Sequence, residues 1–99
     1  MKTAFIVIRS PTELDPTHMI ARLADRADAT AILFEDGVYQ ALVGNASERL
    51  GKAVHEVLVS KEDIEARGFT QADLKLGMAV GYDDIVDCIM ERTERTVTT

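Results

Sequence analysis

Thr3-Ala4-Phe5-Ile6-Val7-Ile8 decides the fold. It is a short, nearly continuous apolar run rich in β-branched residues, and Arg9-Ser10-Pro11 ends it. A strand that is apolar on both faces has to be covered on both, which is the situation of a parallel sheet flanked by helices. Ala29 to Phe34 (ATAILF) is a second run of this kind and Val54 to Val59 (VHEVLV) a third. Leu76 to Val80, interrupted by Gly77, is a weaker fourth.

The segments between the runs carry helical signals. Asp15-Pro16 has the form of an N-cap followed by proline at the first helical position. Met19, Ile20, Leu23, Ala24 and Ala27 then recur at helical spacing, which predicts a helix over about 16–27. Glu35-Asp36-Gly37 breaks the second strand, and Val38, Tyr39 and Leu42 suggest a short helix stopping near Gly44-Asn45. Ala46 to Lys52 (ASERLGK) is polar and is expected to be one loose helical turn plus loop. Ser60 followed by Asp63 begins a short helix in the manner of a capping box, and Arg67-Gly68 ends it. Thr70 to Asp73 repeats the capping pattern. Gly81-Tyr82-Asp83-Asp84 opens the last helix, with Ile85, Val86, Ile89 and Met90 as its buried stripe; Thr96 to Thr99 is expected to fray. Strands alternating with helices imply an α/β domain with a mostly parallel, four-stranded sheet and right-handed crossovers. Such a sheet has two exposed edges, and oligomerisation through an edge and a helix face would cover them.

The length, 99 residues, fits one domain over 1–99. With 46% apolar and 28% charged residues the composition is that of an ordinary globular protein. The net charge of −6 and the lack of any basic run argue against direct binding to a nucleic-acid backbone. A partner already holding RNA would need no basic surface here. A single cysteine, Cys88, excludes an intramolecular disulfide. No signal-peptide pattern and no run of about 20 apolar residues is present, so a cytoplasmic, membrane-free location is expected.

The chain offers little for catalysis. Its two histidines, His18 and His55, are not at ligand spacing from Cys88, and His55 falls inside a predicted strand, so no metal site is expected. No glycine-rich phosphate loop is present, and no cofactor is expected. Arg9 and Ser10 could hold an anion weakly or simply form a polar turn. Glu35-Asp36 follows the second strand, at the edge where open parallel sheets bind ligands; a solvated turn with Asp36 as a cap is the simpler and favoured account of the pair. Tyr39 and Tyr82 follow turns at the same edge, either as half-buried anchors or as interface residues. Cys88 lies mid-helix between acidic neighbours, with Arg92 as its one cationic neighbour at helical spacing. That placement favours a packing residue over a sulfur carrier.

Several segments, in order along about residues 9–90, resemble the DsrH/TusB family of DsrE/DsrF/DsrH-like proteins. They are Arg9-Ser10-Pro11; Ile32 to Tyr39 with Ala41-Leu42 and Gly44; Val54 to Val59; Asp63 to Phe69; and Tyr82 to Asp87. The L-F-E-D-G-V-Y and A-R-G-F blocks are the most specific. The resemblance implies a small three-layer α/β/α fold and cytoplasmic sulfur trafficking. It implies partners of the DsrE/TusD-like and DsrF/TusC-like kinds in a hexameric complex. Such complexes pass persulfide sulfur to 2-thiouridine synthesis at the tRNA wobble position or to dissimilatory sulfur oxidation, and the DsrE/TusD-like partner carries the sulfur. Some members have a cysteine on the first helix, where this chain reads Met19-Ile20-Ala21-Arg22, and the aromatic tail of typical members is missing after Arg92. Cys88 matches no family sulfur site.

Three functions follow as expectations. The first is a non-catalytic subunit of a sulfur-relay complex, contacting a partner or ligand through Arg9, Ser10, Glu35, Asp36, Tyr39, Arg67 and Tyr82. The second is a self-associating binding module using the same edge. The third is a persulfide-carrying sulfurtransferase acting through Cys88.

Overall fold

The computed structural model describes residues 1–99. The three strong apolar runs become the strands β1 (Thr3–Val7), β2 (Ala29–Leu33) and β3 (Glu56–Ser60), with β4 (Met78–Val80) and β5 (Arg95–Thr98) at the two edges. Every pairing is parallel and the order is β4-β3-β2-β1-β5. The sheet therefore has five strands instead of the expected four. Arg95 to Thr98, expected to fray, pairs along β1 from Thr3 to Ile6. Its Thr-Val-Thr sequence suits a strand, and the unpaired edge of β1 supplies the ladder.

Four helices connect the strands: α1 (Thr17–Leu23), α2 (Gly44–Ala53), α3 (Lys61–Ala66) and α4 (Tyr82–Asp87), the last continuing into a π-helical turn, Cys88–Arg92. The larger core packs Ile20 of α1, Leu50 of α2 and Ile64 of α3 against Phe5, Val7, Ala31, Leu33, Val57 and Val59 on one face of the sheet. A smaller core packs Ile85 and Cys88 against Ala4, Ile32 and Leu58 on the other. Alternation along each strand sends successive residues to opposite layers, so nearly continuous apolar runs give three layers.

Local expectations meet mixed outcomes. Ser60 caps α3 by accepting from the Asp63 N–H at 3.3 Å, and Thr70 with Asp73 makes a full capping box around the 3₁₀ turn Gln71–Asp73. Asp15 lies one residue further out than expected: Pro16 is the N-cap of α1, and the Asp15 carboxylate accepts from the backbone and hydroxyl of Thr17. The predicted helix over 16–27 is shorter, ending at Leu23 before a 3₁₀ turn at Arg26–Asp28. The polar stretch 46–52 is not one helical turn and a loop but lies wholly within α2, because Ala46, Leu50 and Ala53 line one side of it. His55 sits at the exposed bend before β3, not within the strand. The buried side of α4 and its π turn is Ile85, Cys88 and Ile89, while Val86 and Met90, expected to be buried, turn away from the sheet and are exposed.

Candidate functional site

All five strands point the same way, so their C-terminal ends share one edge. The loops leaving β1, β2, β3 and β4 meet there and bring Arg9, Ser10, Glu35, Asp36, Tyr39, Arg67 and Tyr82 to a common side of the molecule. Connections from the neighbouring strands β3 and β4 leave to opposite faces, into α3 and α4. A parallel sheet opens a crevice at such a point. Ile8, Phe34, Glu35, Asp63 and Tyr82 line a cleft of about 300 Å³ there.

The 3₁₀ turn Glu35–Ala41 carries the acidic side of this edge. Glu35 has φ of +50°, the left-handed region that non-glycine residues seldom occupy. Its N–H donates to Asp63 Oδ2 at 2.8 Å, which helps hold the turn. Strain of this kind costs roughly 1–3 kcal/mol and persists where surrounding contacts enforce it. Gly37 follows, pressed against the end of β1: a Cβ there would lie 1.9 Å from the Val7 carbonyl oxygen.

Asp36 does not cap a helix with its side chain. Its Oδ1 accepts from Arg67 Nε at 3.3 Å and Nη2 at 3.0 Å, while Arg67 Nη1 donates to the Asp63 carbonyl at 3.1 Å. The hydrogen bond to Asp36 raises the Arg67 pKa further above its already high value. Arg67 thus ties α3 to the 3₁₀ turn. The pair is partly open to water, so its value lies in orientation more than in stability. Tyr39 stacks edge-on against Phe69, with ring centroids 6.1 Å apart, and Tyr82 stacks on Phe34 at 5.8 Å. Tyr39 is half-buried and Tyr82 largely exposed.

Arg9 and Ser10 form a separate part of the edge. Arg9 presents its carbonyl to the Gln40 amide at 3.3 Å and leaves its side chain exposed. Ser10 Oγ is 2.8 Å from Thr12 Oγ1, and its carbonyl accepts from the N–H groups of Glu13 and Leu14. Sequence reasoning missed three contributors: Gln40, Asp63 as a brace for Glu35, and the apolar pair Ile8 and Phe34. Gln40 is buried and also donates to the Leu14 carbonyl at 2.9 Å, holding the loop after β1. A lone glutamine among Val38, Tyr39, Ala41 and Leu42 gave only the faint signal of a polar residue in an apolar stretch.

At the edge the arrangement offers carboxylates, a committed guanidinium, hydroxyls and aromatic rings, with no thiol. No group of three His, Cys, Asp or Glu side chains converges as a metal site. The sole thiol lies elsewhere. Cys88 starts the π turn, is fully buried, and borders a cleft of about 240 Å³ with Lys2, Thr30, His55, Glu56, Arg92 and Thr93, near the N-terminal ends of β2 and β3. Burial pushes its pKa up, and the nearby Arg92 opposes that only in part.

The family model described as DsrH like protein matches residues 9–95, which is nearly the whole chain. The chain belongs to the DsrH family. Among curated relatives, Protein TusB of Erwinia tasmaniensis is 33% identical over 90 residues, spanning 90% of this chain and 93% of that one. Among solved structures, the solution NMR structure of protein Tm0979 from Thermotoga maritima superposes with a TM-score of 0.59 at 24% identity, covering 87% of this chain and 90% of the other; at that identity the likeness concerns the fold. The DsrH match contains every proposed edge residue and Cys88. No helix of the structure is long and apolar enough to cross a membrane.

Proposed function

We propose that this chain is a non-catalytic subunit of a cytoplasmic sulfur-relay complex, assembling with DsrE/TusD-like and DsrF/TusC-like chains in the route to tRNA wobble 2-thiouridine. The match to the TusB relative over nine-tenths of the chain carries this reading. The site chemistry supports it: the exposed edge has no thiol, while the one cysteine is buried near the opposite edge with its pKa raised by that burial. A relay sulfur needs an accessible thiolate, so it travels on a partner. What this chain contributes is the edge built from Arg9, Ser10, Glu35, Asp36, Tyr39, Arg67 and Tyr82, a rigid contact surface for that partner.

Light scattering after size exclusion tests the reading, with the chain alone and mixed with DsrE-like and DsrF-like proteins from the same genome. A mixed complex of defined stoichiometry, which assembles and relays sulfur equally well with Cys88→Ala, is the expected result. The double substitution Glu35→Ala and Asp36→Ala should weaken assembly without unfolding the chain. A stable self-oligomer that ignores those partners would refute the relay reading in favour of a stand-alone module.

A further inference from the structure

An open sheet ends in two edge strands, here β4 and β5, and each turns a row of N–H and C=O groups outward. Such a row is a template for a strand of another chain unless something blocks it. The two edges differ in composition. β5 reads Arg-Thr-Val-Thr and exposes every residue but Val97. Its charge and its two exposed threonines make it a poor apolar template. β4 lies within Leu76-Gly77-Met78-Ala79-Val80-Gly81, which has no charge and no proline, and Met78 is 61% exposed. By composition β4 is the edge without protection.

A single side chain covers it instead. In a parallel ladder, one residue of a neighbouring strand donates to the carbonyl before the residue it pairs with and accepts from the N–H after it. Gln71 does both with its side-chain amide. Its Nε2 donates to the Gly77 carbonyl at 3.3 Å, and its Oε1 accepts from the Ala79 N–H at 2.6 Å. These two groups flank Met78, whose own partner on the inner side is Leu58 of β3. The amide therefore stands where a sixth strand would place one of its residues.

The turn carrying Gln71 is held at both ends. Thr70 and Asp73 close the capping box around Gln71–Asp73. Before it, the Phe69 N–H donates to the Ile64 carbonyl at 2.9 Å, and the Phe69 ring meets Tyr39. After it, the Lys75 N–H donates to the Ala41 carbonyl at 2.8 Å, and Leu74 and Leu76 pack on the larger core. Gln71 is itself exposed, so burial does not account for its place. An amide is the side-chain group that offers a donor and an acceptor side by side, as a peptide does.

We propose that Gln71 is an edge guard: its amide fills the pairing sites of β4 and keeps a second copy of this chain from adding a strand there. A second copy is the chain excluded because two β4 edges related by a two-fold axis set the same uncharged stretch, Leu76 to Val80, against itself. The inference goes beyond the relay reading and does not rest on it.

Gln71→Ala and Gln71→Lys test it together. Both remove the same two hydrogen bonds, but lysine leaves a charge on the edge, and charge by itself opposes strand pairing. Hydrogen exchange at the Ala79 amide, followed in dilute protein, should speed up about fivefold in both variants. Light scattering across a dilution series then reads the mass, with salt added to screen Asp84 and Asp87 beside the edge. The mass of Gln71→Ala should climb with concentration to about twice that of the wild type, the value for a pair of chains. Gln71→Lys should follow the wild type. If Gln71→Ala fails to fold, Gln71→Ser, too short to bridge Gly77 and Ala79, takes its place. A folded alanine or serine variant whose mass follows the wild type overturns the guard. Equal association of the alanine and lysine variants overturns it as well, because the amide would then serve only to steady the turn. Unchanged exchange at Ala79 shows that the amide does not hold the edge in solution and removes the proposal.

Discussion

Alkylation of Cys88 in the folded chain distinguishes a scaffold from a carrier. The thiol has no exposed surface and packs with Ala4, Ile32, Leu58 and Ile85 beneath α4. A reagent reaches it only when α4 and the π turn lift from the sheet. Lifting exposes Ile85 and Cys88 fully and part of Ile89 and Val80. At about 1.5–3 kcal/mol for a buried aliphatic side chain, less the freedom the segment regains, the opening costs about 3–4 kcal/mol. Labelling by iodoacetamide at pH 7, followed by intact mass, should therefore run roughly 10²–10³-fold slower than in the urea-unfolded chain. The pH dependence has a definite sign. Burial raises the folded pKa above the ordinary value of 9.0, so the protonated thiol favours the folded state below that value. This contribution is lost as pH rises through the higher folded pKa, and the alkaline fall in melting temperature should shrink in Cys88→Ala. Labelling of the folded chain at the unfolded rate would refute the argument and restore a carrier role for Cys88.

Three further substitutions probe the edge. Gly37→Ala places a Cβ against the backbone of Val7 and should cost about 3 kcal/mol or more. Gly68→Ala meets no atom within 4 Å and should cost only the left-handed strain of its φ of +84°, about 1–2 kcal/mol; thermal melts that reverse this order would refute the close approach at Gly37. Gln40→Leu keeps the volume but removes the donor to the Arg9 and Leu14 carbonyls, and should cost about 1–3 kcal/mol. Proteolysis should then speed up within the loop after β1, and an unchanged cleavage pattern would show that Gln40 does not hold it.

The layered α/β architecture was legible because its signal is hydrophobic continuity. Runs such as ATAILF are apolar at all positions but Thr30, and β2 is buried at every position. Capping was legible where the chemistry is local, as at Ser60 and at Thr70 with Asp73. α2 escaped because its buried positions are the small residues Ala46 and Ser47 plus Leu50, and Gly44-Asn45 imitated a stop. β5 escaped because one apolar residue, Val97, does not announce a strand; the open edge of β1 supplies what the segment lacks. At the site, a sequence pattern can place Glu35, Asp36 and Arg67 on one edge. It cannot say that Arg67 is committed to Asp36 or that Asp63 braces Glu35, since both links join segments about thirty residues apart.

The parallel sheet also constrains what a sulfur atom could do here. Cys88 lies near the N-terminal ends of β2 and β3, while the cleft at Glu35, Asp63 and Tyr82 lies at their C-terminal ends. Each of these strands has five residues, so the two places are roughly 15 Å apart along the sheet. Strand length is fixed by the ladder of hydrogen bonds and cannot shorten to bring them together. A persulfide formed on Cys88 would lie beneath α4, facing Glu56 and Arg92 rather than the aromatic and acidic edge. Any process that used both would need a second chain to bridge them. A chain that only positions a partner needs no such bridge, because Glu35, Asp63 and Tyr82 already lie together at the C-terminal ends of the strands.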